Sequence, residues 1–452
     1  MNSAQNPLAT QPIGRLLVKL AIPTVIAQLI NVLYNIVDRI YIGNIPETGA
    51  MALTGLGITF PILMIISAFA AFVGMGAAPL ASMRMGEGRD QDAEKILGTS
   101  CVLLLLLAVV LTAVIFVFKR PLLYLFGASD NIFGYANDYL TIYLMGTVFV
   151  MLALGLNAFI SAQGFATTAM LSVLIGAICN IILDPVFIFL FGMGVQGAAL
   201  ATILSQGISA VWIVLFLVSR RSRLRIRREN LRLPPALIRS ILALGISPFV
   251  MQATESLVNI VLNRGLQDYG GDLYVGTLAI MTSLLQFITL PSQGVAQGAQ
   301  PIISYNFGAG NVDRAKETFR KLLVSILIYT TVCCLLMVFL PSVFARVFTA
   351  DASLLELTAE MMPIYFAGIW AFGLQLSCQI TFLSLGQAKI SLFLALLRKV
   401  FLLIPLALIL PHFFGVVGIY WAEPIADMVS AFTSFGLFMA SRNRIFQHHQ
   451  VG

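Results

Sequence analysis

The stretch LLVKLAIPTVIAQLINVLYNIVDRIYI (16–42) decides the fold, because it is long enough to cross a bilayer as a single helix. Polar residues interrupt it at intervals of three or four, which places them on one helix face. These residues are Gln28, Asn31, Tyr34, Asn35 and Asp38. A carboxylate at membrane depth costs roughly 2.5–3.5 kcal/mol on insertion scales, so Asp38 indicates a functional group with a partner or water.

The composition of the whole chain is that of a polytopic membrane protein. Of its 452 residues, 59% are hydrophobic and only 10% are charged, whereas soluble domains carry about 25% charged residues. Apolar segments of spanning length predict an all-α protein with twelve transmembrane helices, the first too long for a cleaved signal peptide. The segments are centred near Gln28, Met64, Leu107, Met151, Asn180, Val211, Asn259, Leu290, Thr331, Trp370, Phe401 and Ser430.

The distribution of Lys and Arg predicts that both termini are cytoplasmic. With the N-terminus inside, most basic residues fall on the inner connections, as the positive-inside rule requires. The few on the outer side are Arg39, Lys119, Arg120, Arg264 and Arg346. Positive-inside sorting therefore accounts for the net charge of +7, and no nucleic-acid partner is expected. The five cysteines lie in apolar stretches, so we expect no disulfide.

One strongly polar connection, SRRSRLRIRRENLRLPP (219–235), divides the helices six and six. It defines an N-lobe (1–218), a basic cytoplasmic linker (219–235) and a C-lobe (236–452). We expect the linker to lie on anionic lipid headgroups.

The two halves of the chain resemble each other in three places in the same order. LAIPTVIAQLINVLYNIV (20–37) aligns with 244–261, GAAPLASMRMGEGRDQDA (76–93) with 298–315, and GVQGA (194–198) with GVVGI (415–419). An internal repeat of six helices enters the membrane from the same side each time, so the repeat is parallel. We predict two pseudo-symmetric six-helix bundles around a central cavity.

The differences between the halves locate the ion chemistry. Asp38 aligns with Leu262, while Asn180 and Asp184 in CNIILDP (179–185) align with Leu402 and Leu406. Two nearby carboxylates in a low dielectric cannot both stay charged, so this cluster must hold a proton or a hard cation such as Na⁺. Further oxygen-bearing side chains on the N-lobe helices are Asn157, Gln163, Thr202 and Gln206. His412, His448 and His449 lie at ends or loops, which excludes a histidine relay.

The C-lobe carries charges of its own. Glu255 lies on a stripe with Gln252 and Asn259 that should face the central cavity, either attracting organic cations or pairing with Arg398 or Lys399. Those two basic residues either snorkel to the inner headgroups or line the C-lobe and pair with Glu255 or Glu423. For the pair Glu423 and Asp427, a rim or helix-packing role is expected.

Several function classes are excluded by missing motifs. No Gly-Lys pair is present, so there is no P-loop for an ATP-driven pump. H-E-x-x-H and G-x-S-x-G are absent too, and we expect no enzyme activity. Twelve helices in two repeats with isolated acids fit alternating access better than a channel.

The residues that carry a family resemblance are VDRIYIG (37–43), NIILDP (180–185) and the repeated glycine turns. Through them the chain resembles the multidrug and toxic compound extrusion (MATE) family of cation-coupled transporters over essentially its whole length. The resemblance implies a cation site of Asp38, Asn180, Asp184 and Thr202, able to hold Na⁺ or a proton. It implies that Tyr34, Tyr139 and Asn157 rearrange on protonation, and that helix one bends at Pro23. Other members couple through acids on helices seven and ten, but here helix ten has no acid in its apolar core.

The function expected from this resemblance is H⁺- or Na⁺-driven export of organic cations across the bacterial cytoplasmic membrane. We expect a monomer embedded in membrane lipids, with small organic molecules as substrates and no cofactor. The alternative is a lipid-linked saccharide flippase of the same superfamily, which would need a basic cavity for a pyrophosphate.

Overall fold

The computed structural model describes residues 6–447, so the expectation for His448 and His449 lies outside the described residues. Within that range all regular secondary structure is helical, with no strand. The first half contains α1 (Pro7–Thr10), α2 (Ile13–Gly43), α3 (Gly49–Gly86), α4 (Asp90–Leu125), α5 (Asp130–Met145), α6 (Thr147–Ala162), α7 (Ala166–Pro185) and α8 (Gly194–Val218). A π-helical turn, Val186–Leu190, extends α7, and a 3-10 turn, Arg228–Asn230, lies in the linker.

The second half repeats this pattern with more interruptions. Its helices are α9 (Pro235–Gly270), α10 (Asp272–Gly308), α11 (Val312–Phe339), α12 (Pro341–Phe348), α13 (Ala352–Tyr365), α14 (Ile369–Ser384), α15 (Ala388–Leu396), α16 (Ile404–Ile409), α17 (Pro411–Phe414) and α18 (Val416–Gln447). A second π-helical segment, Leu397–Leu403, joins α15 to α16.

The predicted all-α, twelve-helix fold is confirmed, since all twelve predicted centres are helical. Among the described residues, nine helices are long and apolar enough to cross a membrane, and two bent helix pairs bring the number to eleven. The twelfth segment is α18, a helix of 32 residues that carries Glu423 and Asp427.

The two bent pairs occupy equivalent places in the repeat. The axes of α5 and α6 differ by 59°, and those of α13 and α14 by 48°. Each break contains a glycine that another helix approaches closely. A Cβ on Gly146 would lie 2.3 Å from Ile203 Cβ, and one on Gly368 would lie 2.5 Å from Pro424 Cα. Only a residue without a side chain allows these bends.

The described chain forms two compact units whose bounds fall inside helices. Residues 26–252 form the N-unit; the described residues up to Val25 and from Ala253 onward form the C-unit. The dividing points lie within α2 and α9 and not at the predicted lobe bounds, 218 and 236. The lobes themselves stay a prediction.

Each unit therefore includes the first part of one long helix from the other half of the sequence. In the C-unit, Thr24 Oγ1 donates to Gly294 O at 2.6 Å, and a Cβ on Gly298 would lie 2.7 Å from Ala21 Cα. In the N-unit, a Cβ on Gly76 would lie 2.6 Å from Gly245 Cα. Gly76 and Gly298 are equivalent in the repeat, so the same close helix contact is made twice.

Candidate cation site

Two buried aspartates from different helices meet in the N-unit. Asp38 on α2 retains 7% of its surface and Asp184 on α7 retains 0%. Their carboxyl groups are in direct contact. Asn180 lies one turn before Asp184 and its Nδ2 approaches Asp184 Oδ1 at 3.5 Å. We call these three residues the acid cluster.

The acid cluster has hydrogen-bonding capacity that the described protein atoms do not fill. Asp38 Oδ1, Asn180 Oδ1 and Asp184 Oδ2 are all buried without a hydrogen-bond partner. Buried polar atoms in native proteins are nearly always satisfied, and a pair of buried carboxylates needs a counter-charge. The oxygens available suit a proton or a hard monovalent cation.

The local sequence explains how α7 presents its part of the cluster. The spacing of four residues puts Asn180 and Asp184 on the same face. Pro185 cannot donate a backbone hydrogen bond, and the helix continues beyond it as the π-helical turn Val186–Leu190. Such turns are frequent at functional sites.

Two tyrosines and a threonine surround the acid cluster. Tyr34, one turn before Asp38 on α2, interacts electrostatically with both aspartates. Tyr139 on α5 is buried, interacts with Asp38 and shares a side-chain hydrogen bond with Thr202 on α8. Thr202 Oγ1 donates to Ala198 O at 3.0 Å. Thr202 is therefore linked to the acids through Tyr139.

Other predicted neighbours of the site have different contacts. Asn157 on α6 donates to Ala169 O at 3.3 Å and accepts from Ser172 Oγ at 3.1 Å, so it joins α6 to α7. Asn31 is half-buried, and its backbone oxygen accepts from Asn35 at 2.7 Å. Gln206 is half-buried on α8, one turn beyond Thr202.

The structure places Gln163 at the linker and not at the acid cluster. Its Oε1 accepts from Ser222 Oγ at 3.1 Å, Arg223 N at 2.8 Å and Leu224 N at 2.9 Å. Sequence reasoning missed this role because the donors lie about sixty residues away along the chain. The glutamine fixes the start of the linker to the C-terminal end of α6.

Acidic residues of α4 hold the linker as well. Arg223 forms two hydrogen bonds to Asp90, at 3.0 and 2.7 Å, and Arg227 pairs with Glu94 at 2.9 Å. Beyond these, Thr99 Oγ1 donates to Arg232 O at 3.0 Å. The linker is thus docked on the N-unit at several points, and its contact with lipid headgroups stays a prediction.

We expect Gln163→Leu to release the linker. The leucine keeps similar bulk but leaves the backbone N–H groups of Arg223 and Leu224 without their acceptor, at about 1–3 kcal/mol for a buried unsatisfied group. Limited trypsin digestion of the detergent-solubilised protein should then cut faster after the linker arginines. Gln196→Leu, at an exposed site on α8, is the control. Equal cleavage rates in all three proteins would contradict this role for Gln163.

In the C-unit the basic residues of the second π-helical segment are paired with acids. Lys399 pairs with Glu255, and Arg398 donates to Glu423 Oε1 and Asp427 Oδ1, each at 2.7 Å. The prediction that these two residues snorkel to the headgroups is therefore wrong. The alternative prediction, that they pair with acids of the C-lobe, agrees with the structure. Asn259 belongs to the same unit, whereas Gln252 is the last residue of the N-unit.

Sequence reasoning undervalued Glu423 and Asp427. Both are buried, and they lie one turn apart on α18, the face-sharing spacing already used for Asn180 and Asp184. The Arg398 side chain is only 12% exposed and therefore requires acidic partners; Glu423 and Asp427 lie on α18, which packs against the segment that carries Arg398. Phe372 covers the guanidinium, with Arg398 Cζ 5.2 Å from the ring centroid.

These observations define a polytopic membrane protein of two six-helix repeats with a buried acid site. The MatE family profile matches residues 23–186 and again residues 248–409, once in each half. The chain therefore belongs to the MatE family. Its members are multidrug-export transporters and not enzymes, and they need no cofactor.

Known relatives cover nearly the whole chain. The multidrug export protein MepA of Staphylococcus haemolyticus is 26% identical over 425 residues, covering 94% of this chain and 93% of the relative. MepA of Staphylococcus aureus strain N315 is 24% identical over 435 residues, covering 96% and 95%. A crystal structure of MATE in the bent conformation matches with a TM-score of 0.92 at 22% identity, covering 100% of this chain and 99% of the other.

Proposed function

We propose that this transporter is an antiporter that exports bulky organic cations in exchange for H⁺ or Na⁺. It resides in the bacterial cytoplasmic membrane with both termini inside. The observation that carries the proposal is the contact between two buried carboxyl groups, Asp38 and Asp184, with unsatisfied oxygens on both. An entering cation neutralises the negative charge of these two carboxyl groups. Cation binding therefore depends on how closely α2 and α7 approach each other.

The anchoring of α2 explains how cation binding at this site could move part of the helix. The first part of α2 is fixed in the C-unit by the close packing of Ala21 against Gly298, whereas Asp38 belongs to the N-unit. Occupation of the acid cluster repositions the later part of α2 while the earlier part stays held. Pro23, inside the continuous helix, marks the region where we propose that α2 bends, since proline weakens the hydrogen-bond ladder.

The charge of the C-unit supports cationic substrates. Glu255 keeps 57% of its side-chain surface, while its partner Lys399 keeps 10%. The accessible member of this pair is thus negative and attracts a lipophilic cation. The relatives named MepA are multidrug export proteins, which supports broad small-molecule export here.

The flippase alternative is less well supported. A pyrophosphate needs unpaired basic groups, but Arg398 and Lys399 are both paired with carboxylates. We therefore favour a cation exporter over a lipid-linked saccharide flippase.

Transport in proteoliposomes tests the proposal. A fluorescent organic cation is loaded, and its movement is followed after a sodium jump at fixed pH and, separately, a pH jump without sodium. One of the two gradients is expected to drive substrate against its concentration difference, and an ionophore that dissipates this gradient should stop it. Movement of dye that responds to neither gradient would refute cation coupling.

A further inference from the structure

A buried cluster in the C-unit has more negative than positive charge. The side chains of Arg398, Glu423 and Asp427 keep 12%, 6% and 1% of their surface. One guanidinium thus faces two carboxylates, each at 2.7 Å. Asp427 Oδ2 is buried and has no hydrogen-bond partner. We call these three residues the α18 cluster.

Neighbouring groups do not supply the missing positive charge. Lys399, which also interacts with Glu423, is paired with Glu255, so that pair is neutral overall. Tyr365 on α13 faces both α18 acids and is uncharged as a phenol. Phe372 on α14 covers Arg398 and is apolar. Among the described residues, Arg398 and Lys399 face Glu255, Glu423 and Asp427, which leaves one negative charge in excess.

The excess negative charge of the α18 cluster must be neutralised because the cluster is buried. Burying an unpaired carboxylate is so costly that such groups take up a proton or a counter-ion. Sodium would need a shell of several oxygens, whereas the guanidinium occupies one side of both acids and a single oxygen, Asp427 Oδ2, is free. A proton needs no shell and fits this arrangement.

In the repeat, the acids of the α18 cluster occupy positions equivalent to those of Thr202 and Gln206 in the N-unit. The alignment of GVQGA (194–198) with GVVGI (415–419) pairs Thr202 with Glu423 and Gln206 with Asp427. Thr202 is the residue that contacts Tyr139 beside the acid cluster. The second half thus has acids where the first half has neutral polar groups, and leucines where the first half has Asp38 and Asp184.

We propose that Glu423 and Asp427 share one exchangeable proton, which gives the transporter a proton site in the C-unit in addition to the acid cluster of the N-unit. This inference rests on the proposed coupling of export to a cation gradient. The proton resides on one of the two α18 carboxyl groups at a time, and Arg398 compensates the charge that remains on the other. Its release and uptake add one proton to each cycle of exchange, in addition to the cation of the acid cluster.

Infrared difference spectroscopy on the full-length protein tests the site without any transport. The background is the Asp38→Asn/Asp184→Asn variant, which removes the acids of the N-unit. Between roughly pH 6 and 9 exposed carboxyl groups stay ionised, since their ordinary pKa is about 4. A protonated-carboxyl band that changes in this range is expected from the α18 cluster.

Adding Asp427→Asn to that background should remove the band, because the amide neutralises the excess charge and leaves the Arg398–Glu423 pair intact. Asp268→Asn, at an acid whose side chain is 65% exposed, should leave it unchanged. A band that persists after Asp427→Asn, or its absence from the background, would overturn the proposal. Because this readout involves no substrate, failure of the proposed transport function would not affect it.

The number of protons exchanged per substrate gives a second readout. It is measured in proteoliposomes, with the membrane potential held at zero, from the substrate gradient that the protein sustains. One pH unit corresponds to a tenfold ratio per proton. With one pH unit imposed and sodium equal on both sides, Asp427→Asn should therefore sustain a substrate gradient about tenfold smaller than that of the wild type, whichever cation occupies the acid cluster. Equal gradients in the two proteins would contradict this additional proton in the cycle.

Discussion

Replacing Asp38 by Asn is expected to abolish gradient-driven export while the protein stays folded. The amide keeps the shape of the side chain and removes the charge that binds the cation, so Asp184 no longer needs a counter-ion shared with α2. Export of a fluorescent organic cation from proteoliposomes, driven by whichever gradient the wild type uses, measures the effect. Binding of substrate alone should survive, because only the coupling group is changed.

The same assay separates a coupled pair from two independent acids. Asp184→Asn should match Asp38→Asn, and the double variant should be no worse than either, because groups that act as one unit are not additive. Asp138→Asn on α5, which accepts a hydrogen bond from Gln196 at 3.1 Å, is a matched control in the same unit and should export normally. Wild-type export by Asp38→Asn would refute the coupling role of the acid cluster.

Replacing Arg398 by Met is expected to cause the largest loss of stability. The substitution leaves Glu423 and Asp427 buried without their cation. Removing one partner of a buried ion pair typically costs about 3–5 kcal/mol, much more than the pair itself contributes. Thermal unfolding of the detergent-solubilised protein should show a large drop in the transition temperature.

A compensated variant distinguishes charge from packing. Combining Arg398→Met with Glu423→Gln and Asp427→Asn removes the uncompensated charge and should recover most of the lost stability. Arg264→Met is the control, since the Arg264 side chain is 83% exposed and lies 3.9 Å from Asp268. Surface changes of that kind stay within about 0.5 kcal/mol. An Arg398→Met protein as stable as the wild type would mean that the α18 cluster is not held by this guanidinium.

Much of the fold followed from the sequence because its determinants are local. Apolar segments of spanning length predict helices whatever their neighbours are, and all twelve predicted centres are helical. Helical periodicity likewise fixed that Asn180 and Asp184 share a face and that Asp38 interrupts an apolar helix. The repeat, visible in three aligned segments, reappears in the two family matches.

The pairing of side chains across helices did not follow from the sequence. Gln163 satisfies donors in the linker, although the sequence grouped it with the oxygen-bearing side chains around the acid cluster. Arg398 and Lys399 pair with acids on α18 and α9, although their depth alone was equally compatible with snorkelling. Each outcome depends on which helices pack together.

The sequence by itself determined that this chain spans a membrane as two related six-helix halves and that the first half carries a costly acid pair. The tertiary structure alone decided that α2 and α9 each contribute to both units, and that one guanidinium is shared by two carboxylates on α18. The physical reason is the distance along the chain over which each interaction acts. Hydrophobicity and helical periodicity act over a few turns, whereas ion pairs and close glycine contacts join residues that only the packing of distant helices brings together.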